Sequence, residues 1–389
     1  MAQQSTNDPA SQLNLGRING AGNATNNRDL YLKLFSGEMF TGFQRETIAR
    51  DLVQKRTLTN GKSLQFIYTG RTTAEYHTPG NSILGNDQKA PPVAEKTITV
   101  DDLLISSAFV YELDETLSHY ELRGEISRKI GYALAQKYDR LIFRAIAKGA
   151  RQASPVSMTN FVEPGGTQIQ VGGGSDADDA YNSTHLINAF YDAAAALDEK
   201  GVSEDGRVAV LTPRQYYALI QNIESNGLIN RNERGDALQS GNGIIEIAGI
   251  QIFKSMNIPF FSKYGTKYAP ASGANAGTDL ATVDPGNTGS WVSEGIETAN
   301  TATGNNYGAR QNYGAASNFA NSCGLIFQRE AAGVVETIGP QVQVTSGDVS
   351  VVYQGDVILG RMAMGADFLN PAASVELFAG TTTKPAAFN

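Results

Sequence analysis

From Asp114 to Lys148 the chain contains no proline, opening on acids (Asp114, Glu115) and closing on bases (Arg140, Arg144, Lys148). Acids at the start and bases at the end suit the partial charges of a helix, so this run predicts one continuous helix. At 1.5 Å per residue, about 35 residues make a rod of roughly 50 Å, far beyond the usual helix of about 11 or 12 residues. Its apolar side chains recur at every fourth position, at Leu122, Ile126, Ile130, Leu134, Tyr138, Ile142 and Ile146. A four-residue step overshoots one turn by about 40°, so the stripe winds around the rod and successive stretches must face different neighbours. Leu122, Ile126, Ile130, Leu134, Tyr138 and Ile142 are therefore expected to pack the spine. Gly124 and Gly131 share a face, and each costs about 1 kcal/mol against alanine, which points to close backbone approach or a bend.

Around this rod the pattern mixes helices and strands. Residues 1–27 are polar, rich in Asn, Gly, Gln and Ser, and read as a flexible arm. Apolar density rises from Arg28 through Phe43, predicting an ordered stretch. Lys62–Tyr76 and Lys96–Tyr111 are strand candidates, separated by a segment holding Pro79, Gly80, Gly85, Pro91 and Pro92 that forbids regular structure. They predict a long hairpin with an irregular tip; fourteen extended residues would reach roughly 46 Å, far for a hairpin on a compact domain. Residues 151–183 read as loop, after which Thr184 is expected to cap a helix through Leu186, Phe190 and Leu197. Val208–Leu211 suits a buried strand, and Thr212 with Pro213 supplies cap and first turn for a further helix. Ile244–Phe253 reads as paired strands around Gly249. Residues 264–322 are loop-rich, and from Gly324 short strands resume, with turns expected at Gly347-Asp348 and Gly355-Asp356. No fixed period repeats, which excludes solenoids and propellers.

Composition removes most chemistry. The 389 residues suffice for roughly two to three domains, yet hold one cysteine, Cys323, and three histidines. An intrachain disulfide framework and a cysteine-built zinc site are excluded, and a histidine-rich metal centre is not expected. No run is long and apolar enough for a membrane span or secretory leader, so a soluble, unexported chain without membrane partners is expected. Net charge is −8. Residues 1–151 are mildly basic, whereas 152–389 are strongly acidic, so sequence-specific reading of nucleic acid is not expected, though enclosing DNA without gripping it is compatible. Gly61-Lys62-Ser63 resembles the end of a phosphate loop, but Arg56 stands where that motif needs glycine. Asp176, Asp178 and Asp179 hint at calcium, but an EF-hand register puts Tyr181 at the glycine position and Ile187 at the bidentate glutamate position. His77 and His119 lie in no nucleophile motif, and nothing beside Cys323 would activate it. No catalytic, cofactor-binding or metal-ligating residues are assigned, no cofactor is expected, and the chain reads as a non-enzyme.

The order of polar arm, overlong hairpin, spine helix, central α/β portion and returning strands resembles the HK97-fold major capsid protein of short-tailed podoviruses of the Autographiviridae type. The resemblance is carried by RDLYLKLFSGEMFTGF at 28–43, GKSLQFIYTGRTTAEYHTPG at 61–80, EKTITVDDLLISSAFVYELDETLSHYELRGEIS at 95–127 and GIIEIAGIQIFKSMNIPF at 243–260. The Gly/Asn/Thr-rich stretch 264–322 departs from it, being longer and less regular. The resemblance implies an α+β HK97-type fold with an N-terminal arm (1–57), an extended E-loop (58–110), a peripheral domain with the spine helix (111–184), an axial domain including 264–322 (185–335), and peripheral return strands with the C-terminal tail (336–389). It further implies a homo-oligomer of hexamers and pentamers closed into an icosahedral shell, with a scaffolding protein, a portal protein and packaged double-stranded DNA as partners. The implied place is the virion capsid, assembled in the host cytoplasm. Arg71, Glu75, Lys89, Glu95 and Lys96 lie on the hairpin or its tip and are candidate inter-subunit contacts, where charge sets register more than affinity. Rival readings are an encapsulin-like nanocompartment shell and, from another class, a hydrolase or ligand-binding protein with its site in 264–322.

Overall fold

The computed structural model describes residues 48–72, 74, 76–80, 91–100, 103–111, 122–156, 163–174, 177–221, 245–255, 257–258, 321–344 and 354–387. Among them run strands β1 (Gln54–Thr57), β2 (Ser63–Thr69), β3 (Val93–Thr99) and β4 (Leu104–Tyr111), then helix α1 (Leu122–Ala150). Strand β5 (Thr167–Gln170) leads to helix α2 (Ser183–Glu199), strand β6 (Arg207–Leu211) and helix α3 (Pro213–Gln221). Strands β7 (Ile245–Ile247) and β8 (Ile250–Lys254) follow, and β9 (Ser322–Gln328), β10 (Ala332–Val344), β11 (Gly355–Phe368) and β12 (Ser374–Phe378) complete the order. The expected helix start at Asp114, the arm, the hairpin tip from 81 to 90, most of 264–322 and the Gly347-Asp348 turn lie outside the described residues. The helix is seen from Leu122, about 44 Å of rod over its 29 residues.

The chain divides into two compact units, one of Met1–Arg45, Asp102–Gln136 and Thr337–Met364, the other of Glu46–Asp101, Lys137–Glu336 and Gly365–Asn389. In the first, β4 pairs antiparallel with β11 from Gly355↔Tyr111 to Met362↔Leu104. Strand alternation puts Ile358, Gly360 and Met362 on one face, where Ile358 and Met362 are buried. A side chain at Gly360 would begin 2.3 Å from Ile130 Cγ2 and 3.0 Å from Leu134 Cδ1, so α1 lies directly on this face and glycine is what lets it. Ile126, Ile130 and Leu134 are buried along the same stretch of helix. Gly131 has open space around its α-carbon, so the close approach expected there is made instead by Gly360 on the strand.

The second unit is built on a six-stranded sheet ordered β5-β12-β9-β6-β8-β7. Its central strands β6, β9 and β12 are buried along their whole length, as near-continuous apolar runs require when both faces are covered. From Tyr138 to Ala147 the helix is buried on every side, Ile142 and Ile146 completely. Helix α2 is capped by Asn182 rather than Thr184: the Asn182 side chain accepts from Thr184 N at 3.0 Å, while its carbonyl accepts the first helical bond from Leu186 N. Asparagine is the better cap because its side-chain oxygen reaches the open N–H groups of the first turn. Helix α3 starts as expected, Thr212 Oγ1 accepting from Gln215 N while Gln215 Oε1 accepts from Thr212 N, with Pro213 at the first position. The β7–β8 pair turns through Ala248 (φ 53°) and Gly249 (φ 74°), a two-residue turn whose twist suits adjoining strands.

Two strand expectations need correction. Lys96–Tyr111 is not one strand: β3 pairs with β2, from Ser63↔Thr99 to Thr69↔Val93, whereas β4 belongs to β11. Seven paired residues per strand reach about 23 Å, half the expected length. Gly355 and Asp356 are not a turn either; both lie in β11, and the positive φ falls one residue earlier, at Gln354.

Proline at Ile130 would remove a helical hydrogen bond and clash with the preceding turn, so Ile130→Pro should cost about 3 kcal/mol or more in chemical denaturation. Gly360→Ala should cost about 1–3 kcal/mol through overpacking, and Ile130→Ala in the same chain should recover part of that loss; strictly additive losses would mean the two residues do not touch.

Candidate inter-subunit surfaces

The hairpin formed by β2 and β3 has two unlike faces. Strand alternation turns Leu64, Phe66, Tyr68, Ala94, Lys96 and Ile98 to one side, with Ala94 and Ile98 buried, and Ile67, Val93, Glu95 and Thr97 to the other. On that other side Ile67 is 77% exposed and Val93 60%. An isolated two-stranded hairpin is marginal in water, so its fixed position depends on what holds the inner face.

Charged groups hold it at three places. Lys96 Nζ lies 3.2 Å from Asp367 Oδ2 and 3.5 Å from the centroid of the Phe368 ring. Lys148 Nζ approaches the same carboxylate at 3.5 Å and the same ring at 5.6 Å. Burial pushes the Lys96 ammonium below its ordinary value, with Asp367 opposing that fall. Further out, Arg71 Nε meets Glu163 Oε2 at 3.2 Å, and its Nη2 donates to the Lys200 carbonyl at 2.8 Å. Lys200 in turn donates to the Gly165 carbonyl at 2.6 Å and to Thr167 Oγ1, and burial pushes its ammonium down. Arg56 lies 5.2 Å from the Phe66 ring centroid, a third cation on the inner side.

The segment 48–57 is clipped by two buried carboxylates. Asp139 on α1 accepts from Ile48 N at 3.0 Å, Ala49 N at 3.1 Å and Asn257 Nδ2 at 3.2 Å. Burial outweighs these bonds and its pKa is pushed up to about 6. Glu336 accepts from Tyr138 Oη at 2.6 Å and pairs with Lys55 at 2.6 Å and Arg50 at 3.5 Å. Burial would raise its carboxyl, but the Lys55 and Tyr138 bonds and the Arg50 charge hold it below the usual glutamate value, while burial and Glu336 push the Tyr138 phenol up. Backbone pairing reinforces the clip, since β1 runs parallel to β10 from Gln54↔Gly333 to Thr57↔Glu336.

A third buried cluster fixes the C-terminal tail. Arg151 donates to both oxygens of Glu376, at 2.7 and 2.6 Å, and to the Ala386 carbonyl at 2.9 Å, while Gln168 holds the Pro385 carbonyl at 2.9 Å. Ser322 Oγ also donates to Glu376.

Of the candidate contact residues, Arg71 and Lys96 are engaged within the chain and Glu95 is exposed, accepting from Thr97 Oγ1 at 3.0 Å. Glu75 and Lys89 lie outside the described residues, as does the side chain of Leu122. Asp139, Glu336, Arg151 and Glu376 escaped the sequence reading. The available signal was a charge inside an apolar run, Asp139 beside Leu141–Phe143 and Glu376 inside SVELF, each of which must find a partner when buried. Among the described residues no group of three or more His, Cys, Asp or Glu could hold a metal, and no helix is long and apolar enough to cross a membrane. His185 Nδ1 contacts Asp179 Oδ1 at 3.1 Å without a nucleophile in its network, and burial raises the Cys323 thiol far from reactivity.

With the geometry pointing to surfaces rather than to a reaction centre, residues 65–299 match the family described as Gp10A-like: Major capsid protein. The chain belongs to the Gp10A-like major capsid protein family. It is 27% identical over 353 residues to the major capsid protein of Escherichia phage T7, covering 89% of this chain and 90% of that one. The capsid structure of Cyanophage P-SCSP1u superposes with a TM-score of 0.65 at 30% identity, covering 94% of this chain and 97% of that one. The mature capsid of bacteriophage PhiM1 gives 0.60 at 16% identity over 96% and 98%, a likeness of fold. The fold is thus the α+β, HK97-type capsid fold, and the chain is a structural capsid protein, not an enzyme, whose place is the phage virion and whose working form is a homo-oligomer. The nanocompartment and hydrolase readings are not favoured by these relatives.

The two clipping carboxylates respond to pH with opposite sign. Glu336 lies below its unfolded value near 4.5, so its contribution is present above that pH and is lost as pH falls through the folded value. Asp139 rises from 3.8 to about 6, so its contribution is complete below 3.8 and is lost as pH rises through 6. Asp139→Asn should therefore flatten the dependence of stability on pH between about 4 and 7 by about 2–3 kcal/mol, whereas Glu336→Gln should remove part of the loss at lower pH; thermal denaturation across that range measures both.

Proposed function

We propose that copies of this chain form hexamers and pentamers that close into an icosahedral shell around packaged double-stranded DNA. A scaffolding protein guides closure, a portal protein occupies one position, and assembly takes place in the host cytoplasm. In this reading residues 1–57 are the N-terminal arm, 58–110 the E-loop, 111–184 and 336–389 the peripheral domain, and 185–335 the axial domain. The spine helix gives each subunit its rigid axis through Ile126, Ile130, Leu134, Tyr138 and Ile142. One observation carries the reading beyond family membership: the hairpin is tied to its own chain on one face, while the other offers Ile67 and Val93 to solvent. Modest contacts suffice, because every subunit in a shell makes many at once. The acidic charge of residues 152–389 suits a container that does not bind its contents tightly.

Expression with and without a co-expressed scaffolding protein, followed by sedimentation and electron microscopy, tests this. Closed particles are expected with the scaffold, and a chain that remains a monomer under all conditions sinks the proposal. Deleting residues 81–90 should leave a folded subunit with a normal melting transition but strongly reduce particle yield; unchanged yield would remove the hairpin tip from assembly.

A further inference from the structure

Residues 52–74 contain no acid and four cations, Lys55, Arg56, Lys62 and Arg71, in a chain of net charge −8. Two of the four are committed within the chain, Lys55 to Glu336 at 2.6 Å and Arg71 to Glu163 at 3.2 Å. Arg56 and Lys62 are exposed and meet no carboxylate among the described residues. The Phe66 ring fixes where the Arg56 guanidinium lies, and Lys62 stands four residues before Phe66, at most about 14 Å along the chain. The surface around the two cations is made of Thr57, Thr59, Asn60, Gly61 and Ser63, all exposed, while Leu58 is half-buried. Gly61 holds φ 103°, a conformation that suits glycine, and nothing stands within 4 Å of where a side chain would begin, so the turn is open to close approach. Gly61-Lys62-Ser63, whose likeness to a nucleotide phosphate loop fails at Arg56, thus keeps the chemistry of a phosphate contact without that loop's geometry.

We propose that residues 56–63 form a contact for the phosphate backbone of double-stranded DNA, with Arg56 and Lys62 facing phosphates and Thr57, Thr59, Asn60 and Ser63 supplying neutral donors. Cations, hydroxyls and an amide beside an open backbone are what a duplex meets at its phosphates and sugars, where most protein–DNA hydrogen bonds are made. A protein partner fits less well, because tight protein contacts are anchored on large aromatic or aliphatic side chains, and this patch exposes none. The proposal rests on the shell reading above and adds which surface of the subunit looks inward. Two cations per subunit make a weak contact that reads no bases. Repeated over a shell, it lays DNA along the wall without gripping it, in keeping with the acidic charge of residues 152–389.

Binding of a labelled duplex of about 30 base pairs to the purified full-length subunit, titrated over salt, tests it. Arg56→Gln and Lys62→Gln should each lower the magnitude of the slope of log affinity against log salt by about one, whatever the duplex sequence. Both side chains are exposed, so the melting transition should stay at its wild-type position. Variants that keep the wild-type slope, or a wild-type chain that ignores the duplex, would overturn the contact. Polyglutamate run alongside separates two kinds of polyanion: equal affinity for it, lost in the same variants, would replace DNA with an acidic protein segment and overturn the assignment. In DNA-filled particles, a photo-crosslinker at position 62 should attach to DNA. Attachment to capsid or scaffolding peptides in intact particles would refute the contact and leave the shell reading standing, whereas a wild-type chain that forms no particles would sink both.

Discussion

The winding apolar stripe of one long helix is the constraint on which the rest of the molecule depends. A rod whose apolar side chains advance around its surface cannot be satisfied by one neighbour, so its environment changes along its length. Between Ile126 and Leu134 it lies on a strand that has given up a side chain at Gly360 to admit it. From Tyr138 to Ala147 it is enclosed, and there it carries charge into the interior at Asp139, Arg140 and Arg144. Those charges explain why the chain entering from the N-terminal side is fixed where it is: backbone N–H groups of Ile48 and Ala49 meet a carboxylate that has left water.

Local pattern made the helix, the hairpin, the α3 cap and the β7–β8 turn legible, because each depends on neighbours within a few residues. The α2 cap lies two positions before the expected Thr184 because Asn182 and Thr184 are both competent caps, and which one receives the first N–H groups is decided by where the backbone becomes helical. The expected hairpin is too long because β4, like β3, is built of strand-favouring residues, and a strand's partner is not written in its own residues; β4 finds β11 some 250 positions away along the chain. The buried clusters were invisible for the same reason. Glu336 is 198 residues from Tyr138, and Glu376 is 225 from Arg151, so no spacing rule connects them. What the sequence does show is the anomaly that demands them, an ionisable residue inside an apolar run.

The candidate surfaces sort into charges already used and charges still available. Lys96 and Arg71, candidate contacts for a neighbour, also bond within their own subunit, where a half-buried ammonium over Phe368 and a guanidinium reaching Lys200 hold the hairpin. In the Arg71–Glu163 pair the guanidinium is largely exposed while the carboxylate is buried, so one partner keeps much of its water and the contact positions the element without locking it. The Arg151–Glu376 pair is the opposite case. Fully buried and doubly hydrogen-bonded, it contributes through the penalty for breaking it rather than through its net attraction.

The burial of Cys323 has a consequence for durability. The chain's single sulfhydryl is sealed within the central strand β9 and held strongly in its unreactive, protonated form. A particle made of such subunits offers oxidants no thiolate at this position and contains no cystine within a subunit for reductants to cut. It can pass between reducing and oxidising surroundings without its cohesion being rewritten by sulfur chemistry.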